Sequence, residues 1–151
     1  MDAEVYPDPK VSEYIAGNFV PVKIHIKENP SGFHRFDVSW TPTVMVLDTD
    51  GKERYRFEGY LPAADFLAQL DFGRGRVAFA HKRWDDAARE FNSAADRDPK
   101  CEFAAQASYW AAVAHFQKTH DGTFLKEWSK KVRAEFPTTT WAKRALAYSS
   151  E

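Results

Sequence analysis

"FDVSWTPTVMVLDTDGKERYRF", residues 36–57, carries the reading that decides the fold. Its middle, TVMVLD (43–48), is an apolar run without alternation, the pattern of a strand covered on both faces. DTDG follows as a turn in which Gly51 supplies the positive φ that other residues adopt only at a cost. KERYRFEGY then returns as a second strand, with Lys52, Arg54 and Arg56 on one side and Glu53, Tyr55 and Phe57 on the other. Charged residues of this kind suit a sheet edge, because they discourage pairing with another molecule. The stretch predicts an antiparallel hairpin at the margin of a sheet.

Upstream, YPDPKVSEYIAGNFVPVKIHI predicts a short helix and then a strand. Asp8 caps the helix, Pro9 suits its first position because the missing N–H would be unpaired there, and Gly17-Asn18 stops it. Val11, Tyr14 and Ile15 share one helical face. From Phe19 to Ile26 the pattern alternates, with Val20, Val22, Ile24 and Ile26 on one side and Lys23 and His25 on the other. That predicts a strand with one face buried, whose beginning Pro21 keeps out of full ladder pairing. KENPSGFHRFDVSW is a polar connection with a helical turn near Phe33 and Phe36.

Downstream, LPAADFLAQL is a helix with Pro62 in its first turn and Phe66, Leu67 and Leu70 on one face. Composition shifts at DFGRGR (71–76), and no strand signal follows. GRVAFAHKR, DDAAREFNSAADRD, EFAAQASYWAAVAHFQKT, TFLKEWSKKVRAEF and TWAKRALAYSS predict five Ala-rich helices separated by short turns. Two domains are expected, residues 1–71 and 72–151.

The 151 residues give 44% hydrophobic and 15% aromatic content, enough for a real core. A net charge of −1 argues against a nucleic-acid partner. No apolar run approaches the roughly 18 residues that span a bilayer, and the polar, acidic start MDAEVYPDPK does not read as a signal peptide. A cytoplasmic chain with no membrane partner is expected. Cys101 is the one cysteine, so an intrachain disulfide, a CxxC motif and a cysteine zinc site are excluded. Of the five histidines, His115 and His120 come nearest to a pair, but their spacing of five misses the i, i+4 face. No metal or other cofactor is expected, and no catalytic residue is assigned. Asp85-Asp86 reads as a helix cap with a first-turn charge.

In order and spacing, NFVPVKI, FDVSWTPTVMVLDTDG and FEGYLPAADFLAQL resemble the thioredoxin fold from just after its active site onward. In that family the proline of such a Thr-Pro-Thr step has a cis peptide bond and faces both the reactive cysteines and an extended substrate segment. The resemblance implies that role for Thr41-Pro42-Thr43 together with Trp40, so Trp40, Thr41, Pro42 and Thr43 form the candidate binding loop. Family members place a strand, CxxC and a helix before this point, and a low-pKa thiolate there does the chemistry. Here MDAEVYPDPKVSEYIAG looks like the latter part of that helix, which puts the family's cysteines just before Met1. The chain keeps the substrate-facing loop and lacks its nucleophile.

The later half resembles a tetratricopeptide unit. In GRVAFAHKRWDDAAREFNSAADRDP, Gly75, Ala87, Phe91, Ala94 and Pro99 fall at the small, small, aromatic, small and proline positions of the 34-residue pattern. Asp71 and Arg74 replace the usual Trp and Leu. A more degenerate unit follows, through Trp110, Val113, Ala114, Trp128 and Val132. An unrelated antiparallel helical bundle would have the same packing needs. Such repeats bind peptides or proteins on a concave face, and Tyr109, Trp110, Phe116, Phe124, Trp128 and Trp141 are numerous enough to include an exposed anchor.

The fold expected is α/β plus all-α: an incomplete thioredoxin-like fold followed by tetratricopeptide-like helical hairpins. The function expected is a redox-inactive interaction module for a protein or peptide partner. The alternative is a shortened thiol-disulfide oxidoreductase whose CxxC lies upstream of Met1. Without the family's central strand, two inner edges would be left open. Direct antiparallel pairing of 19–26 with 43–48, or a homodimer through this edge, is then expected.

Overall fold

The structure, a computed structural model, describes residues 4–149. In chain order it comprises α1 (Pro9–Asn18), α2 (Pro30–Arg35), β1 (Thr43–Leu47), β2 (Glu53–Glu58), α3 (Ala63–Ala80), α4 (Trp84–Arg97), α5 (Glu102–Thr119), α6 (Thr123–Glu135) and α7 (Thr140–Ala145). A short 3-10 turn, Leu146–Tyr148, follows α7.

The hairpin forms as its sequence dictates. β1 and β2 pair antiparallel, with Val44 opposite Phe57 and Val46 opposite Tyr55, and an irregularity follows Val46. Gly51 takes φ +73° in the turn. Val44, Val46, Tyr55 and Phe57 face a core made with Val11 of α1 and with Phe66, Leu67 and Leu70 of α3. The predicted cover on both faces of β1 is not found. Thr43, Met45 and Leu47 point away from that core, and Leu47 is 39% exposed.

The largest correction concerns residues 19–26. They form no strand, and the sheet among the described residues is β1 and β2 alone. Val20 is 92%, Val22 77% and Ile26 52% exposed. Direct closure onto β1 therefore does not occur. The segment runs between two anchored helices: α1 is buried through Val11, and Ile24 lies 3.3 Å from where a Cβ on Gly32 of α2 would sit. Solvated backbone meets its hydrogen-bonding needs with water, so nothing drives this stretch to align along β1. No central strand is built from residues 4–6, which lie in a turn, and residues 1–3 are outside the described range.

The second correction is at residues 71–76. The two helices predicted on either side are one, α3, and the expected boundary at 71/72 falls inside it. The Gly-Arg-Gly there serves close packing within the helix. A Cβ on Gly73 would sit 2.6 Å from Val46 Cγ2, and one on Gly75 2.6 Å from the Phe91 ring. α3 thus touches the hairpin with one glycine and α4 with the next.

Consecutive helices from α3 onward are antiparallel, as short turns require. Contacts such as Phe79 with Trp84 and Phe72 with Phe91, Asp85 with Lys118, and His115 with Phe124 show this. Alanines at the seams allow close approach, and aromatic rings fill what remains. α3 and α5 in turn run parallel, joined by Phe72 with Phe103 at 5.3 Å and Phe79 with Trp110 at 5.5 Å.

One buried acid joins the two parts. Asp71, inside α3, accepts hydrogen bonds from the Tyr14 hydroxyl of α1, from Ser93 Oγ at 3.1 Å and from Arg97 Nε at 2.8 Å of α4. Burial, reinforced by the Asp71 hydrogen bond, pushes the Tyr14 hydroxyl up to about 12. Arg74 spans from Tyr14 to Glu90, whose carboxylate lies 3.1 Å from the guanidinium.

Candidate functional site

The loop predicted to bind, Trp40–Thr43, enters β1. The Thr41–Pro42 bond is cis. Thr43 Oγ1 donates to the Trp40 carbonyl at 2.6 Å, and the Gly59 N–H donates to the Pro42 carbonyl at 2.9 Å. Gly59 reaches that carbonyl with φ +88°, a conformation a side chain would disfavour.

Arg56 pins the approach to the loop. From β2 it donates through Nη2 to the Phe36 carbonyl at 2.6 Å and through Nη1 to the Asp37 carbonyl at 3.3 Å. Glu53 holds the same guanidinium at 2.6 Å. Asp37 sits in the left-handed region at φ +49°, and the Val38 N–H closes on the Phe33 carbonyl at 3.0 Å. Backbone on both sides of Trp40 is thus fixed, while its ring is 69% exposed. Thr41 is exposed too, and Pro42 and Thr43 are half-buried. A rigid loop presenting an indole can bind an apolar or extended partner segment at low entropic cost.

The other end of the hairpin holds a carboxylate that sequence reading passed over. Asp48 is buried and accepts from the Lys52 and Asp50 N–H groups, each at 3.0 Å, and from Arg54 Nε at 2.6 Å. Desolvation alone would raise its pKa. The Lys52 N–H and Arg54, with the Asp50 N–H, outweigh it and hold the carboxyl down to about 2. His81 Nε2 lies 3.4 Å from the same carboxylate, and Asp50 completes a cluster within 4.8 Å. The guanidinium already neutralises Asp48, so the group reads as a turn-stabilising ion pair. Cys101 caps the start of α5, just before Glu102, and its thiol neighbours the carboxylates of Asp65 and Asp98. The Asp48 turn contacts are local to the DTDG segment, whereas His81 and Asp65 come from far along the chain, where no motif signals them.

Residues 1–74 match the family model described as a thioredoxin-like domain. The N-terminal part of the chain is therefore thioredoxin-like, and the match ends within α3. No curated protein and no solved structure matches the chain.

Proposed function

We propose that this chain acts as a redox-inactive thioredoxin-like interaction module, binding a protein or peptide through the Trp40–Thr43 loop and through its helical part. The observation that carries the reading is the exposed Trp40 indole on a loop whose backbone is hydrogen-bonded on both sides. The sole cysteine, Cys101, precedes α5, so the chain given has no dithiol to exchange. For the helical part, tetratricopeptide-like packing is supported by the α3 and α5 contacts. Arg76 stacks on Trp110, 34 positions later, which is the period of that repeat.

Peptides selected from a displayed random library on the intact chain test this. They should shift the Trp40 indole resonance in NMR spectra and bind at least tenfold more weakly to Trp40→Ala. Selected peptides indifferent to Trp40 would remove the loop from the reading.

A second reading, a thiol-disulfide oxidoreductase whose CxxC lies upstream, is favoured by one observation. The outer edge of β1 pairs with no strand among the described residues. An in-frame Cys-x-x-Cys upstream in the coding sequence, with insulin reduction by the longer form, would establish it.

A further inference from the structure

The two edges of the sheet are built differently. β2 closes one side with Glu53, Arg54, Arg56 and Glu58, charges of the kind that keep an edge from pairing with another molecule. β1, Thr-Val-Met-Val-Leu, carries no charge, and among the described residues no strand pairs with its outer side. Its hydrogen-bonding groups point there in a fixed order. The Pro42 carbonyl accepts from the Gly59 N–H, so every second pair onward, Val44 with Phe57 and Val46 with Tyr55, turns its N–H and C=O groups inward between the strands. Thr43 and Met45 turn theirs to the open edge. Leu47 stands exposed beside them. Nothing on this edge guards against pairing.

The same chain carries a strand-like segment that pairs with no strand. In residues 19–26 Val20, Val22 and Ile26 are each more than half exposed. Apolar side chains left in solvent together mark a contact surface. The chain does not bring this segment to its own edge. The segment is tied at one end to α1, whose Val11 is fully buried, and at the other to α2 through Ile24 and Gly32. Arg56 fixes the approach to β1 by holding the Phe36 carbonyl.

A second copy offers the same segment without those tethers to this β1, and it offers the same edge in return. Donor and acceptor on one chain are what a symmetric pair needs, since each copy then gives a segment and receives one. Lys23 and His25, on the other face of the segment, meet no like charge on β1.

We propose that two copies of this chain associate through these elements, residues 22–26 of each adding to the open edge of β1 of the other. Pro21 has no N–H to give, so the added ladder starts at Val22. The contact takes Val22 and Ile26 out of water and gives the outward N–H and C=O groups of Met45 protein partners. It stands apart from the reading of the Trp40–Thr43 loop, which Trp40→Ala tests.

Amide hydrogen exchange of the intact chain, followed as its concentration is raised, reads the pairing directly. In dilute solution the Val44 and Val46 amides, bonded to β2, should exchange slowly and the Met45 amide fast. At high concentration Met45 should become protected, while sedimentation velocity shows the monomer becoming a dimer. Val22→Lys sets a charge into the contact and should raise the concentration needed for the dimer at least about tenfold, with the dilute monomer as stable as the parent. Circular dichroism melts of the dilute variant check that it folds; should it fail, Val20→Lys, at the more exposed neighbouring valine, takes its place. A chain that stays monomeric with Met45 unprotected would overturn the proposal, as would a dimer indifferent to the lysine. Met45 protection that does not depend on concentration would overturn it too, by assigning the edge to a segment of the same molecule.

Discussion

The two parts of this molecule meet the same requirement in opposite ways. From α3 onward every helix satisfies its own backbone and asks its neighbours only for apolar contact, which alanine seams and rings supply. The sheet cannot do this, because a strand needs a neighbour on each edge or water in its place. Among the described residues β1 has a partner on one side only, and Val20, Val22 and Ile26 of the strand-like segment 19–26 stay in solvent. A chain can therefore carry a closely packed helical array and a two-stranded sheet with an open edge together, provided one element belongs to both. That element is α3.

The sharpest way to break the comparison is at Asp71. Replacing it by Ala removes the buried acceptor shared by the half-buried Tyr14 hydroxyl, Ser93 and the solvent-accessible Arg97 guanidinium. Removing one partner of a buried ion pair costs about 3–5 kcal/mol, and partial exposure of Arg97 places the effect near the lower figure. Urea unfolding followed both by helical ellipticity and by a fluorinated Trp40 should show the two signals falling together at a lower midpoint. Separate transitions would mean that α3 does not couple the parts.

The glycines of α3 come next. Gly75→Ala puts a methyl against Phe91, and overpacking of this kind costs about 1–3 kcal/mol. Gly17→Ala, in α1 with nothing within 4 Å, should instead stabilise by about 0.5–1 kcal/mol. Denaturation midpoints of the pair test whether tight packing is confined to the joint.

Much of this was legible in the sequence, and what was not has a common cause. The hairpin, α1 with its Asp8 cap and the helices of the later half follow from local periodicity and turn chemistry. Residues 19–26 have a strand's alternation, but a strand is a property of its neighbours and not of its own pattern. Gly73 read as part of a composition shift, whereas it is small because Val46 comes close; Gly75 stood at a small position of the repeat pattern, and Phe91 is what comes close to it. Asp71 stood out only as the wrong residue for a repeat. Its partners Tyr14, Ser93 and Arg97 are brought to it by packing. The candidate loop was singled out by its Thr-Pro-Thr step, whose cis bond the structure shows. The aromatic contacts between α5 and α7 were visible as composition, not as packing.

Titration separates the parts more gently. The Asp48 carboxyl is held well below the unfolded value of 3.8, so its contribution is present above that pH and is lost as pH falls towards about 2. Tyr14 and Tyr55 are raised from 10 to about 12, chiefly by burial, so stability holds up to pH 10 and falls between 10 and 12. Melting temperatures should drop at both ends of the range. Asp48→Asn should flatten the acid limb alone, and Tyr14→Phe the alkaline limb in part.

The smallest effect is expected where the sheet is unfinished. Val20 and Val22 are 92% and 77% exposed, so Val22→Thr removes no packing from the chain, and such surface changes stay within about 0.5 kcal/mol. The same substitution at Val46 buries a hydroxyl against Gly73, which costs about 1–3 kcal/mol. The contrast between the two valines measures whether residues 19–26 are as unengaged in solution as their exposure states. Equal losses would mean that the segment has found a strand to pair with. Repeating the melt of Val22→Thr over a hundredfold range of protein concentration then identifies that strand. A loss that grows with concentration assigns it to a second copy of the chain, because only an intermolecular contact depends on mass action. A loss independent of concentration assigns it to β1 of the same molecule, the one open edge among the described residues.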